Sequence, residues 1–402
     1  MRMRPSLPRA GTPLLTVAVL AAACADTSSS RVDPAADHPS AMFRGGEARA
    51  GVYEGEGPTT SGAVEWTVAT GGPVRSSPTV VRDRVYVGSG DGHVYALDAE
   101  TGSEVWTRDL GSPVHSTPAV AHGLVFVIDW QNRLFALDQA SGETRWRAET
   151  GPDAPWDWGQ EGWDYFSSSP AVEGGRVYVG SGDGHVYAFE ARSGAEIWRF
   201  ATGGRVRSSP ALADGRLFVG SADGVLYALD SASGELVWRF ETVGAGLDSE
   251  AWGFDRKTIQ GTPAVVDGRV YFGARDGHAY AVDARSGEQL WRTEERMPWY
   301  IASPAVADGV LYFGSSDGLF VNALDAATGR ELWRTATGHR VFSSPALFAG
   351  TLFVGNHLGR FLALAPETGE IRWELRGRHG ILSSPVPGDG RVFFGSDDGK
   401  VY

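Results

Sequence analysis

Seven segments of one pattern recur along the chain at intervals of about 40 residues, and an array of that period leaves few folds open. They read ALDAETGSEVW at 96–106, ALDQASGETRW at 136–146, AFEARSGAEIW at 188–198, ALDSASGELVW at 228–238, AVDARSGEQLW at 281–291, ALDAATGRELW at 323–333 and ALAPETGEIRW at 363–373. Upstream of each lies a Ser/Thr-Pro element ending at Pro78, Pro118, Pro170, Pro210, Pro263, Pro304 or Pro345, and an eighth ends at Pro385.

The first unit divides into four short strands, SSPTV, RVYVGS, HVYALD and SEVWTRD, in which apolar and aromatic residues alternate or run in fours between turn residues. Asp91-Gly92 suits a tight hairpin with positive φ, and Asp98 can accept backbone N–H bonds across the Thr101-Gly102 turn. The 54 glycines and 21 prolines fit many turns rather than long helices. Four strands at this period make a propeller blade, in which each sheet packs on its neighbours around an axis. The expectation is an all-β, eight-bladed β-propeller spanning 62–402. The repeat tryptophans Trp66, Trp106, Trp146, Trp198, Trp238, Trp291, Trp333 and Trp373 number eight but run out of phase with the Ser/Thr-Pro elements. Residues 63–68 therefore supply the fourth strand of the last blade and remove its open edge. That unit stops at GKVY where the others continue with ALD.

A formal charge of −13 argues against a surface that tracks nucleic-acid phosphates. Cys24 is the only cysteine, so no disulfide forms within the chain. Arg2, Arg4 and Arg9 precede the apolar run LLTVAVLAAA, which is too short to span a bilayer but fits a signal-peptide core over 1–23. Ala22-Ala23-Cys24 resembles the lipobox of bacterial lipoproteins, with Ala21 departing from the usual Leu. That resemblance implies a lipidated Cys24, a tether and lead-in over 24–61, and a membrane-anchored protein of the cell envelope. The alternative is ordinary cleavage in the Ala-rich run.

The repeats resemble the quinoprotein (PQQ-like) propeller family, whose docking pattern A-x-D-x-x-T-G-x-x-x-W they follow over 63–402. MFRGGEARAGVY from Met42 also resembles the lead-in ahead of many such propellers. In layout the chain is nearest to the BamB-like outer-membrane assembly lipoproteins. The resemblance implies that the eight tryptophans pack each blade onto the next, each burying its indole in the joint. Glu190 and Ala365 replace the motif aspartate, so looser turns are expected in blades three and seven. It also implies two functions. One is a non-catalytic, monomeric scaffold without cofactor that binds protein partners in the envelope. The other is an oxidoreductase holding PQQ and Ca²⁺ in the axis. No clustered Asp/Asn pattern offers a Ca²⁺ site, and no metal or catalytic residue is assigned. A small-ligand or glycan binder is a third reading.

Trp146 to Trp198 and Trp238 to Trp291 span 52 and 53 residues. Both insertions fall between one blade's fourth strand and the next blade's first, on the face shared with the second-to-third hairpins. Trp130, Trp156, Trp158, Trp163, Trp252 and Trp299 map to that face, with Tyr165 and Tyr300 beside them. They mark a binding surface or, equally, a plug over the channel mouth. Arg75, His115 and Arg207 stand just before Ser/Thr-Pro elements. They either ring the channel or are simply polar strand ends meeting solvent.

Overall fold

The computed structural model describes residues 42–402 apart from 56, 58–61, 156–165, 253, 294–298 and 389. Eight four-stranded antiparallel sheets follow one another along the chain. Blades 1 to 7 occupy 79–109, 119–149, 171–201, 211–241, 264–292, 305–336 and 346–376. In blade 1 the strands are Thr79–Val81, Arg84–Gly88, His93–Asp98 and Glu104–Asp109, paired in that order. Blade 8 is built from residues 386–401 and takes its last strand from the other end of the chain. Val68–Ala69 pairs antiparallel with Lys400–Val401, with Val68 opposite Val401. The closing ladder thus lies slightly later than the expected 63–68.

Each indole holds two blades together. Seven donate Nε1–H to a carbonyl of the next blade at 2.8–3.2 Å, Trp106 to Gln139 and Trp146 to Ala191 among them. The motif glycine is required twice over. Gly142 has φ +70°, and a Cβ there would lie 2.5 Å from the Trp106 ring. Gly62 packs in the same way on Trp373, so the split motif is completed across the closure.

Burial of the indoles is less complete than expected. Trp106, Trp198 and Trp291 are buried, whereas Trp66, Trp146, Trp238, Trp333 and Trp373 are only half-buried. The reason is their place on the fourth strand, the outer edge of each blade, where one side of the ring faces solvent. Trp333 keeps its docking contacts all the same. It donates to Pro366 O at 2.8 Å, packs on Tyr312 at 6.0 Å and covers Gly369, which has φ +73°.

The turns of blades 3 and 7 are no looser than the rest, contrary to expectation. Gly194 N–H to Glu190 O and Gly369 N–H to Ala365 O are both 2.8 Å, the same as Gly142 N–H to Asp138 O. Glu190 still caps Ser193 N–H through its longer side chain, and Pro366 presets φ where Ala365 has no cap.

The Ser/Thr-Pro elements stand ahead of the first strands rather than within them, and their two hydroxyls do different work. The first staples its own blade, as Gly88 N–H donates to Ser76 Oγ at 3.1 Å and Gly395 N–H to Ser383 Oγ at 2.7 Å. The second links blades around the axis. Thr117 N–H donates to Ser169, Ser169 to Ser209, Ser209 to Thr262, Thr262 to Ser303, Ser303 to Ser344, Ser344 to Ser384 and Ser384 to Ser77. Thr79 Oγ1 joins blades 1 and 2 by donating to Pro118 O at 2.6 Å.

Residues 42–53 lie inside this ring of strands. Their carbonyls accept N–H bonds from Leu212, Val265, Val306 and Leu347, and Val52–Tyr53 pairs parallel with Ala346–Phe348. Arg49 donates to Pro210 O and Pro170 O at 2.9 and 3.0 Å, and Arg44 donates to Pro345 O at 2.7 Å and to Pro304 O. The segment therefore ties blades 3, 4, 5, 6 and 7 from within. Both arginines have positive φ, 68° and 58°, and a Cβ on Gly51 would collide with Arg44. Such backbone persists where surrounding bonds over-determine it.

Candidate functional site

The residue before each Ser-Ser-Pro or its equivalent points into the axial channel at the face carrying the insertions. Around the ring these are Arg75, His115, Ser167, Arg207 and Gln260 in blades 1 to 5, then Ile301, Phe342 and Leu382 in blades 6 to 8. One arc of the mouth is polar and the other apolar. Phe166 comes from the connection into blade 3 and reaches Phe342 of blade 7, 6.4 Å between centroids, so the end of the first insertion crosses the mouth. Trp299 packs on the same apolar cluster.

Arg75, His115 and Arg207 all line the cavity. Arg75 is paired with Asp397 at 2.9 Å, and Arg207 is 6% exposed. Arg207 donates to Asp153 Oδ2 at 2.6 Å and lies over the Trp130 ring at 5.5 Å, while Asn132 and Arg205 also hold Asp153. The second insertion ends in a matching arrangement. Arg275 donates to Asp255 Oδ2 at 2.9 Å and to Gln260 Oε1 at 2.5 Å, under Trp299 at 4.9 Å. Each insertion is thus fixed to the ring by an Asp–Arg pair covered by a tryptophan.

Asp255, Arg275 and Asn132 were not singled out from the sequence, and Asp153 only as one of the acidic residues of the first insertion. The available signal is the third residue of the second-to-third hairpin, ordinarily small, as in Gly90, Gly182 and Ala222. Trp130, Arg275, His357 and Asp397 depart from it, and all four border the mouth. The aspartate of that hairpin also does more than make the turn. Asp183 accepts bonds from Tyr187 Oη at 2.6 Å and from Gly151 N–H at 2.7 Å, tying hairpin to loop. Burial and the Asp183 carboxylate push the Tyr187 phenol up to about 12.

Tyr300 is not a mouth residue. It is fully buried, packs at a tilt against Phe313 with ring centroids 4.9 Å apart and occupies the core position held elsewhere by Val74, Val114 and Val341. Trp156, Trp158, Trp163 and Tyr165 lie outside the described residues, as does the side chain of Trp252.

His115 meets Trp130 edge-on at 5.4 Å, and its Nδ1 is sealed from solvent without a partner among the described residues. Burial, with Arg75 nearby, holds its pKa down at about 4. Between pH 6.5 and 4 the unfolded chain therefore binds the proton that the folded one refuses, and stability falls as pH drops through that window. His115→Gln should flatten the dependence, recovering up to about 2 kcal/mol at pH 4, discounted for the partly exposed ring. Urea midpoints at pH 7, 5.5 and 4.5 test this, and an unchanged slope would mean that the ring is not held neutral.

Below the mouth the channel forms a cavity of ≈ 50 Å³ lined by the inter-blade hydroxyls and by Phe43. It has room for a few waters, and among the described residues no carboxylate lines it. Among the described residues no group of three or more His, Cys, Asp or Glu could hold a metal ion. The lining present does not fit a tricyclic quinone with its calcium ion. No helix among the described residues is long and apolar enough to cross a membrane.

The family described as outer membrane protein assembly factor BamB matches residues 57–157, 156–249, 243–322 and 320–402. The solved structure of BamB from Moraxella catarrhalis aligns with TM-score 0.67 at 22% identity, over 84% of this chain and 95% of that one. A europium-containing methanol dehydrogenase aligns with TM-score 0.73 at 15% identity, over 90% and 91%. At such identities these likenesses concern the fold alone. The quinoprotein alcohol dehydrogenase PedH of Pseudomonas putida is 29% identical over 130 residues, 28% of this chain and 22% of that protein. The quinohemoprotein alcohol dehydrogenase of Comamonas testosteroni is 26% identical over 147 residues, 30% and 20%. The chain spans about a fifth of the length of these two relatives.

Proposed function

The chain belongs to the outer membrane protein assembly factor BamB family, and we propose on that footing that it is an exported, lipid-anchored docking platform of the cell envelope. It seats a protein partner on the face that carries the two insertions and carries out no chemistry itself. The observation that supports this reading is the anchoring of both insertions, at Asp153–Arg207 and Asp255–Arg275, to a ring closed by eight blades. Loops held at their bases on a rigid scaffold suit recognition of another surface. The order 1–23 signal peptide, 24–61 tether and lead-in, 62–402 propeller belongs to the same proposal. Cys24 is the point of lipid attachment, and labelling with a palmitate analogue should tag the native chain but not Cys24→Ala.

Shortening the first insertion after Asp153 and the second insertion before Asp255, with both aspartates kept, tests the platform directly. The expected result is a ring with an unchanged unfolding midpoint that no longer crosslinks to its envelope partner. A ring that unfolds would instead make the insertions a structural plug. The second reading, a PQQ-binding oxidoreductase, is favoured by the local identity to quinoprotein alcohol dehydrogenases. Titration with PQQ and Ca²⁺, following tryptophan fluorescence and dye-linked alcohol oxidation, decides it. Saturable quenching with turnover would replace the scaffold reading.

A further inference from the structure

The eight hydroxyls that join the blades around the axis are 3–6% exposed. Seven of them accept an N–H from the neighbouring blade, so their oxygens are engaged. A hydroxyl that accepts still has one hydrogen to donate, and none of these eight finds a protein acceptor among the described residues. All eight line one cavity. Donors that converge on one cavity without a protein acceptor point to water or a ligand bound between them.

The charge beneath the cavity has the same sense. Arg44 and Arg49 are 2% and 0% exposed, and the groups that accept their hydrogen bonds are all backbone carbonyls. Tyr53, buried beside them, is neutral, and Glu47 on the same segment is exposed. At the mouth Arg75 and Arg207 are paired, with Asp397 and Asp153, and His115 carries no charge at neutral pH. Two buried cations thus lie under a circle of O–H donors, and among the described residues no buried carboxylate bonds to either, the exposed Glu47 acting on Arg49 through space. Carbonyl dipoles and one exposed carboxylate offset their desolvation poorly.

We propose that the axial cavity is a binding site for a small anion, held by the inter-blade hydroxyls, through water where they do not reach it, and by the field of Arg44 and Arg49. The ligand is a halide or a compact oxyanion such as phosphate. The cavity is too small for a larger carboxylate with a bulky body. The anion serves as counterion to the arginines and as a shared acceptor for all eight blades, so it stabilises the closed ring by mass action.

The test uses the full chain in halide-free buffer at constant ionic strength, with gluconate as the balancing anion. Chloride titration followed by ³⁵Cl line width should show saturable excess broadening that bromide displaces. Displacement by inorganic phosphate as well would assign oxyanions to the site, and its failure would restrict the site to halides. Bromide soaked into crystals should give an anomalous peak on the axis within the hydroxyl circle. Alanine at Thr117, Ser209 and Ser303 together should weaken binding at least tenfold. Because those changes also loosen the ring, the bromide position in the unaltered protein is the deciding observation. Bromide confined to the outer surface, with water on the axis and no excess broadening, overturns the proposal.

Discussion

Alanine in place of Trp106 is expected to destabilise the protein by about 3 to 5 kcal/mol, the range for a large buried aromatic cut back to a methyl. The indole is 8% exposed, donates to Gln139 O at 3.0 Å, packs on Tyr86 at 5.9 Å and covers Gly142. Its loss leaves a slot between blades 1 and 2 that no neighbouring side chain is placed to fill. Gly142→Ala attacks the same contact from the other side, adding about 1 to 2 kcal/mol of left-handed strain to a clash with the ring. Urea unfolding followed by circular dichroism measures both. Midpoints within error of the unaltered protein would mean that the tryptophans do not carry the blade contacts.

Arg49→Met should be nearly as costly, by about 3 kcal/mol or more, although the bonds lost are to carbonyls rather than to a carboxylate. The substitution abandons the carbonyls of Pro170, Pro210 and Phe43, each an acceptor worth about 1–3 kcal/mol when left buried and unmet. Removing the buried guanidinium returns part of this, since burial already holds the Arg49 pKa down at about 9. The residue would also keep its positive φ without the bonds that impose it. Limited proteolysis separates the two consequences. The segment 42–53 should become cleavable before the blades do, and resistance equal to the unaltered chain would show that backbone bonds alone retain it.

What could be read in advance was whatever lies within one repeat. The motif aspartate, glycine and tryptophan fall within eleven residues, so blade count, strand order and closure followed from the sequence. How deeply each indole is buried did not, because Trp106 and Trp333 carry the same motif and differ only in the blade edge around them. The clasp between Asp183 and Tyr187 is equally local and was within reach, since a tyrosine stands four residues after the hairpin aspartate in five blades. Contacts between repeats were another matter. Arg49 meets Pro210 across 161 positions, and Asp153 meets Arg207 across 54. Nothing in the spacing of either pair announces the contact. Tyr300 was misplaced for a different reason, because an aromatic residue in a connection reads as surface until its register is aligned with Val74 and Val114. Arg207 shows the converse, a charged strand end that the channel buries.

The closure of blade 8 also sets a schedule. Val68 cannot find Val401, nor Thr70 the carbonyl of Gly399, until synthesis has passed residue 401. A ring without residues 400–401 keeps two raw sheet edges, and joining ends so far apart carries the entropy of a very long loop. Chains are made from the N-terminus at a few residues per second or somewhat faster. For most of that time residues 68–69 must wait unpaired beside blades already able to fold. The geometry that leaves the mature protein without an edge gives the nascent one a long interval in which a chaperone, rather than its own last strand, has to guard it.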